Sequence, residues 1–203
     1  MGLNSPYRFS FTAASLMQAD LISFAKMMVA DGLTLGQLKP EMMNRDRAKT
    51  NTREFAELYL RIKTLSSKEL NLLVEGNIDD QKLLCLIAFG RAYQFFRDFM
   101  DEVVREKVTL FDFKITDRDY NSFVSRKTID HEELEQLADS TKAKIKQVIL
   151  KVIHQAGLID NIKDRNIIVP IVDFKLEKVI AETDPNDLKL LLYTDQKILN
   201  RWH

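Results

Sequence analysis

Residues 140–160 read STKAKIKQVILKVIHQAGLID, and the fold class follows from how that stretch is read. Ile145, Val148, Ile149, Val152, Ile153 and Ala156 recur at three and four residues, so they share one side of a helix predicted over Thr141 to Ala156. Gly157 followed by Leu158 is a glycine stop with its hydrophobic follower. Lys144, Gln147, Lys151 and His154 fall roughly opposite the apolar stripe, and no acidic residue occurs between Ser140 and Ile159. That is one continuous basic face. Lys142 and Lys146 fall nearer the edge of the stripe and must extend their heads outward from it.

The neighbouring chain reads in the same helical period. Of four prolines, Pro40 and Pro170 bound a long interval without the strongest helix breaker, which predicts a mainly α protein. Ala14, Met17, Leu21, Phe24, Ala25 and Met28 predict a helix from Ser10 to Asp31 with Ser10 or Thr12 as its cap and Gly32 as its stop. Phe55, Leu58, Tyr59, Ile62 and Leu65 form a second stripe. Ser66 with Glu69 is a capping box. Asp79 or Asp80 is expected to open a long, deeply buried helix carrying Leu84, Ile87, Phe95, Phe96 and Phe99. Thr116 is expected to cap a helix with Tyr120 and Phe123, and Asp130 with Glu133 another holding Leu134 and Leu137. The run Ile167 to Val172 resembles a strand, demoted to an edge or a wing by Pro170. Asp184 and Pro185 open the last helical region. Two closely packed lobes are expected, 1–65 and 66–203.

Thirty Lys+Arg balance thirty Asp+Glu, which argues against a uniformly basic coat but not against local basic patches. A single cysteine, Cys85, excludes an intramolecular disulfide framework and a Cys-rich zinc site. The longest apolar run, Leu83 to Phe89, is far short of the roughly 20 residues of a membrane span. A soluble, cytoplasmic protein is therefore the expectation.

Nothing in the chain carries the spacing of a phosphate loop, a dinucleotide fingerprint, a nucleophile elbow or an HExxH zinc site. Cys85 lies inside LLCLIAF, where a buried, inert thiol is expected. His131, Glu132 and Glu133 suit the charged first turn of a helix better than a metal site. No enzymatic activity, catalytic residue, cofactor, metal or small-molecule substrate is expected.

Two basic regions remain. The first comprises Arg45, Arg47, Lys49 and Arg53 at the start of the second helix, with Asn51 and Thr52 able to reach base edges. Further along, Arg53, Glu57 and Arg61 lie four apart and are expected to form a solvated ladder. The second is the helix over 141–156. Preceded by a short helix at Asp130 to Asp139 and followed by the run at Ile167, it has the look of a helix-turn-helix recognition element. The same charges also suit the solvated outer face of a packed helix.

Four stretches in order, YRFSFTAASL (7–16), GRAYQFFRDFMDEVVREKV (90–108), DYNSFVSRK (119–127) and STKAKIKQVILKVIHQAGLID (140–160), together resemble the BrxA family, a small component of the BREX bacteriophage-exclusion system. The resemblance implies a compact helical protein bearing a helix-turn-helix, binding double-stranded DNA beside other BREX proteins, without catalysis. The contact residues named above rest on charge and helical phase alone. An adaptor holding defence proteins together, or an RNA-binding helical protein, are the alternatives.

Overall fold

The computed structural model describes residues 6–43 and 48–202. After a 3₁₀ turn at Ser10–Ala13 comes α1 (Gln18–Val29), then two further 3₁₀ turns, Leu35–Gln37 and Pro40–Met43. α2 (Ala48–Ile62), α3 (Ser67–Glu75) and α4 (Ile78–Ala92) follow. The chain breaks helical geometry at Tyr93, then runs through α5 (Gln94–Phe99), a π-helical stretch (Met100–Arg105) and α6 (Glu106–Thr109). α7 (Asp117–Lys127), α8 (Asp139–Gln155), α9 (Phe174–Thr183), a 3₁₀ segment (Pro185–Leu191) and α10 (Asp195–Trp202) complete it. This is a mainly α protein. Among the described residues extended pairing is confined to two isolated antiparallel bridges, Lys114 with Asn166 and Ile159 with Ile167.

α4 is the centre, as its wide apolar face predicts. Every residue from Leu83 to Gly90 is buried, and α4 packs against α1, α2, α3, α5 and α8. Phe95, Phe96 and Phe99 are buried in edge-on and tilted contacts with Phe9, Phe89, Phe123 and Tyr120. One cluster of buried side chains runs from Tyr7 to Ile198, and α1 packs on α3 across the chain position Leu65. Gly90 is where α4 meets the Pro185–Leu191 segment: a Cβ there would lie 2.8 Å from Leu190 Cδ2, and Leu190 is itself buried. Replacing glycine by alanine inside a helix ordinarily stabilises by about 1 kcal/mol. Here overpacking, typically about 1–3 kcal/mol, reverses the sign. Gly90→Ala is therefore expected to lower the thermal midpoint measured by circular dichroism; a rise would show that the two helices are free to separate.

Four expected boundaries differ. The single long helix expected to carry Leu84, Ile87, Phe95, Phe96 and Phe99 is interrupted: α4 stops at Ala92, and Tyr93, at φ −134° and ψ 97°, separates it from α5, which holds the three phenylalanines. α1 begins at Gln18, not near Ser10, because Met17 adopts a left-handed φ of 57° and the carbonyls before it are engaged elsewhere. The cap of α4 is Asn77, whose Oδ1 accepts from the N–H groups of Asp79 and Asp80, both at 2.9 Å. The α-helix expected at Asp130 to Asp139 does not form: residues 130–138 hold none, and Asp139 is already the first residue of α8. Only a 3₁₀ turn, Glu132–Leu134, stands there, because Glu133 turns away from capping to accept from the Tyr7 N–H (2.8 Å) and to meet His131 Nδ1 (3.0 Å). The glycine stops hold: Gly32 and Gly157 have φ of 69° and 81°, and Leu158 N–H reaches back to the Ile153 carbonyl at 3.0 Å. The Ser66 and Glu69 capping box is also present.

The expected Arg53, Glu57 and Arg61 ladder is not solvated. Arg61 is fully buried and Glu57 is 4% exposed. The Arg61 guanidinium donates to the carbonyls of Ala14 (3.0 Å), Ser15 and Leu16 (3.3 Å), and lies 4.5 Å over the Phe89 ring. Tyr93 donates its hydroxyl to Glu57 and accepts from Arg61 Nε at 3.4 Å. A charged side chain buried this far is tolerable only when it is well partnered, and each of the three guanidinium nitrogens finds an acceptor here. The segment 14–16 stays non-helical and supplies those acceptors.

Candidate nucleic-acid interface

α8 turns its sequence pattern directly into two faces. Ile145, Val148, Ile149, Val152 and Ile153 are buried, together with Leu150, whereas Lys144, Gln147, Lys151 and His154 are all exposed. Lys144 Nζ donates to Gln147 Oε1 at 3.0 Å, one helical turn along. His154 Nδ1 lies 3.3 Å from the Ile159 carbonyl oxygen. A carbonyl only accepts, so this contact selects the tautomer protonated on Nδ1 and leaves Nε2 for another partner.

The two edge lysines behave as their phase requires. Both are half-buried. Lys142 Nζ is 3.4 Å from the Glu135 carbonyl, at the rim of an apolar cleft of about 260 Å³ between α7 and α8. Lys146 Nζ sits 5.4 Å over the Tyr120 ring and 2.9 Å from Asp117 Oδ1.

Beyond α8 the chain turns back on itself. Ile168 N–H donates to the Leu158 carbonyl (2.9 Å) and Asp160 N–H to the Asn166 carbonyl (3.1 Å), making a small hairpin whose turn carries exposed Lys163. Asp160 fixes the turn by accepting from the N–H groups of Asn161 (2.6 Å) and Asn166 (2.9 Å). Arg165, at a left-handed φ of 58°, lets the returning strand run beside residues 113–115: Ile115 N–H donates to Arg165 (3.1 Å) and Ile167 N–H to Phe113 (2.8 Å). The strand expected at Ile167 to Val172 thus pairs at its beginning only. From Val169 onward the segment leaves the pairing, and Ile171 is 98% exposed.

The α-helix before α8, across the Glu132–Leu134 turn, is α7, whose Thr116 hydroxyl oxygen accepts from Asp119 N–H while Thr116 N–H donates to the Asp119 carboxylate. The order is therefore the helical run 94–109, an extended piece at 113–115, α7, α8 and the hairpin. NIKDRN at 161–166, polar but for Ile162, lies between Ile159 and Ile167 with the composition of a turn; the hairpin with its Lys163 and Arg165 is missing from the sequence expectations, and this run is the signal that could have found them.

The first basic region divides. Lys49, Thr52 and Arg53 are exposed on the opening turns of α2. Asn51 is 8% exposed, so its expected reach to a base edge is blocked by its own helix packing. Arg45 and Arg47 lie outside the described residues. The two regions approach each other where Glu54 of α2 and Lys151 of α8 line a common cleft of about 480 Å³ with Gln18 and Asp20 of α1. Leu16 N–H fastens the start of this cleft to α8 by donating to Gln155 Oε1 at 3.0 Å.

Other chemistry-bearing groups are engaged in structure. Cys85 is buried, and burial pushes its thiol up to about 12 against the opposing pull of Arg61. Another cleft, of about 670 Å³, is rich in carboxylates, but Asp101 (2.5 Å) and Asp195 (3.2 Å) pair with Arg105. Glu177, 1% exposed, accepts from Tyr193, Arg201 and Trp202 and so docks α10 on α9. Among the described residues no helix is long and apolar enough to cross a membrane.

Comparison with known proteins adds a lineage to this geometry. The BrxA family model matches residues 5–184. A relative from Bacillus cereus (strain H3081.97), named BREX protein BrxA, is 29% identical over 119 residues, which make up 58% of this chain and 60% of the relative. One of the same name from Escherichia coli O9:H4 (strain HS) is 27% identical over 143 residues, 70% of this chain and 67% of the relative. The matched stretches thus span about three-fifths to two-thirds of those relatives. The crystal structure of an uncharacterized protein from Magnetospirillum magneticum superposes with a TM-score of 0.78 at 14% identity, over 93% of this chain and 98% of that one. It shares the fold.

Proposed function

The chain belongs to the BrxA family, and on that premise we propose that it is a non-catalytic, double-stranded DNA-binding component of a BREX phage-defence system, working in the cytoplasm beside other BREX proteins. The observation that carries the reading is the exposed row Lys144, Gln147, Lys151 and His154 on α8. Its surroundings add support. A helix, an extended piece, two helices and then a hairpin is the element order of a winged helix-turn-helix, with α8 in the position of the recognition helix and the hairpin in that of the wing. In such a module lysines hold phosphates and a side chain such as Gln147 is suited to a base edge in the major groove. Lys49, Thr52 and Arg53 supply a second set of contacts from α2. The names of the Bacillus and Escherichia relatives supply the link to BREX.

The test is fluorescence anisotropy of labelled duplex DNA, duplex RNA and single strands across a salt series. Roughly four to six phosphate contacts give a log–log slope of about −4 to −5, at about −0.9 per phosphate. Binding that is absent at low salt, or a slope near zero, removes this reading, and preference for duplex RNA replaces it with RNA binding.

The adaptor reading has an observation of its own. Phe113 is brought beside the exposed Ile168 and Val169 by the pairing of Phe113 with Ile167, and Leu110 and Phe111, just before it in the chain, are exposed as well. Exposed apolar groups gathered in this way suit a protein partner better than a phosphate backbone. The lysine variants argued in the Discussion separate the two.

A further inference from the structure

Between α7, α8 and the hairpin, one carboxylate stands where an anion from outside would bind. Asp117, in the first turn of α7, is 62% exposed, yet its Oδ1 lies 2.9 Å from Lys146 Nζ and also takes an ion-pair contact from Arg165. Both cations are far less exposed than the carboxylate, at 24% and 20% of their side chains. Each is otherwise held for presentation. Lys146 is steadied over Tyr120, and Arg165 donates its Nε to the Ile162 carbonyl at 3.0 Å while its backbone sits in the left-handed region. Hydrogen bonds from Arg165 and then Lys146 hold the Asp117 carboxyl down to about 2, so it is ionised at any physiological pH.

The arrangement has the parts of a phosphate seat: an ammonium from the recognition helix, a guanidinium from the hairpin and the N-terminal turn of α7. The occupant, however, is the protein's own anion. We propose that Asp117 is a built-in competitor for phosphate, withholding Lys146 and Arg165 from nucleic acid until a phosphate displaces it. This rests on the DNA-binding reading and adds a restraint to it. Without the competitor, two more cations would face any duplex regardless of sequence, because phosphate contacts carry no sequence information. With it, non-specific affinity is held down and contacts that depend on sequence weigh more.

Asp117→Asn keeps the shape and removes the charge. The Thr116 and Asp119 capping box that starts α7 is untouched and the ion pairs lost are largely solvated, so the variant is expected to stay folded and to melt only slightly below the wild type. Against random-sequence duplex DNA the expected result is tighter binding with a salt slope steeper by about 0.9 for each cation released, about 1.8 for both. The added Lys146→Gln and Arg165→Gln changes should return slope and affinity to the wild-type values or below. A carboxylate that merely braces the hairpin predicts the reverse, since Asp117→Asn would then weaken binding and flatten the slope; that outcome, or no change, overturns the proposal. Retention on immobilised heparin separates this failure from failure of the DNA reading. If neither protein binds duplex DNA but Asp117→Asn elutes at higher salt, the DNA reading falls and the competition for polyanions stands. If heparin elution is also unchanged, both fall.

Discussion

Changing Lys144 and Lys151 together to glutamate is expected to abolish duplex DNA binding while leaving the fold intact. Both side chains are exposed on the face of α8 opposite its buried stripe. Each reversal replaces an attraction to phosphate with a repulsion, about 2 kcal/mol per site on a solvated surface, so the pair costs about a thousandfold in affinity. Neither substitution touches the core, and exposed changes usually lie within about 0.5 kcal/mol in stability. Anisotropy for binding and circular dichroism for melting check the two halves of the expectation. Triple alanine replacement of Arg45, Arg47 and Lys49 provides the comparison: a larger loss there than with the α8 pair would make the start of α2 the dominant contact. If both variants fold and bind DNA as the wild type does, while phage defence in cells is lost, these faces serve protein partners and the adaptor reading takes over.

α8 was legible in the sequence because everything that defines it is local. Its apolar period, its cations and its glycine stop fall within one stretch, and the exposed row follows from counting 100° per residue. The buried aromatic set of α4 and α5 was legible for the same reason. Arg61 was not. Spaced four from Glu57 it has the pattern of a surface ladder, and only the distant carbonyls of 14–16 and the Tyr93 hydroxyl make its burial tolerable. The same contact hid the true start of α1, since Ala14 continues the helical period while its carbonyl is committed to Arg61. Asp117 illustrates the limit at the candidate interface. A first-turn aspartate looks like ordinary dipole compensation, and its two cations belong to α8 and the hairpin, which pairing across the chain brings to it. Helices α9 and α10 also depend on non-local support: their junction is built on buried Glu177 and the stacked rings of Phe174 and Trp202. Where phase decides a position, sequence suffices; where a charge finds a remote partner, the folded chain is needed.

Arg61→Met is expected to be the most destabilising single change considered. The thioether fills part of the space but donates no hydrogen bond, so the Tyr93 hydroxyl that donates to buried Glu57 loses its link to Arg61, and the carbonyls of Ala14 and Leu16 lose donors at sites with little access to water. Removing one partner from a buried charged network typically costs about 3–5 kcal/mol. At about 2–4 °C per kcal/mol for a chain of this size, the thermal midpoint should fall by about 6–20 °C. Arg61→Lys should fall between the two, because an ammonium restores the charge yet cannot span three carbonyls as a planar guanidinium does. A midpoint for Arg61→Met within about 2 °C of the wild type would show that the network contributes little net stability. A second consequence reaches the candidate interface. Arg61 holds the segment 14–16 in place, and Leu16 in turn donates to Gln155 at the end of α8. Loosening that segment should let the C-terminal turn of α8, with Lys151 and His154, sample other positions. At a temperature where Arg61→Met is still folded, its DNA affinity is therefore expected to drop while its salt slope changes by less than one phosphate contact, about 0.9. A slope lowered as far as in a lysine variant would mean that Arg61 acts on the cations themselves and not through the positioning of α8.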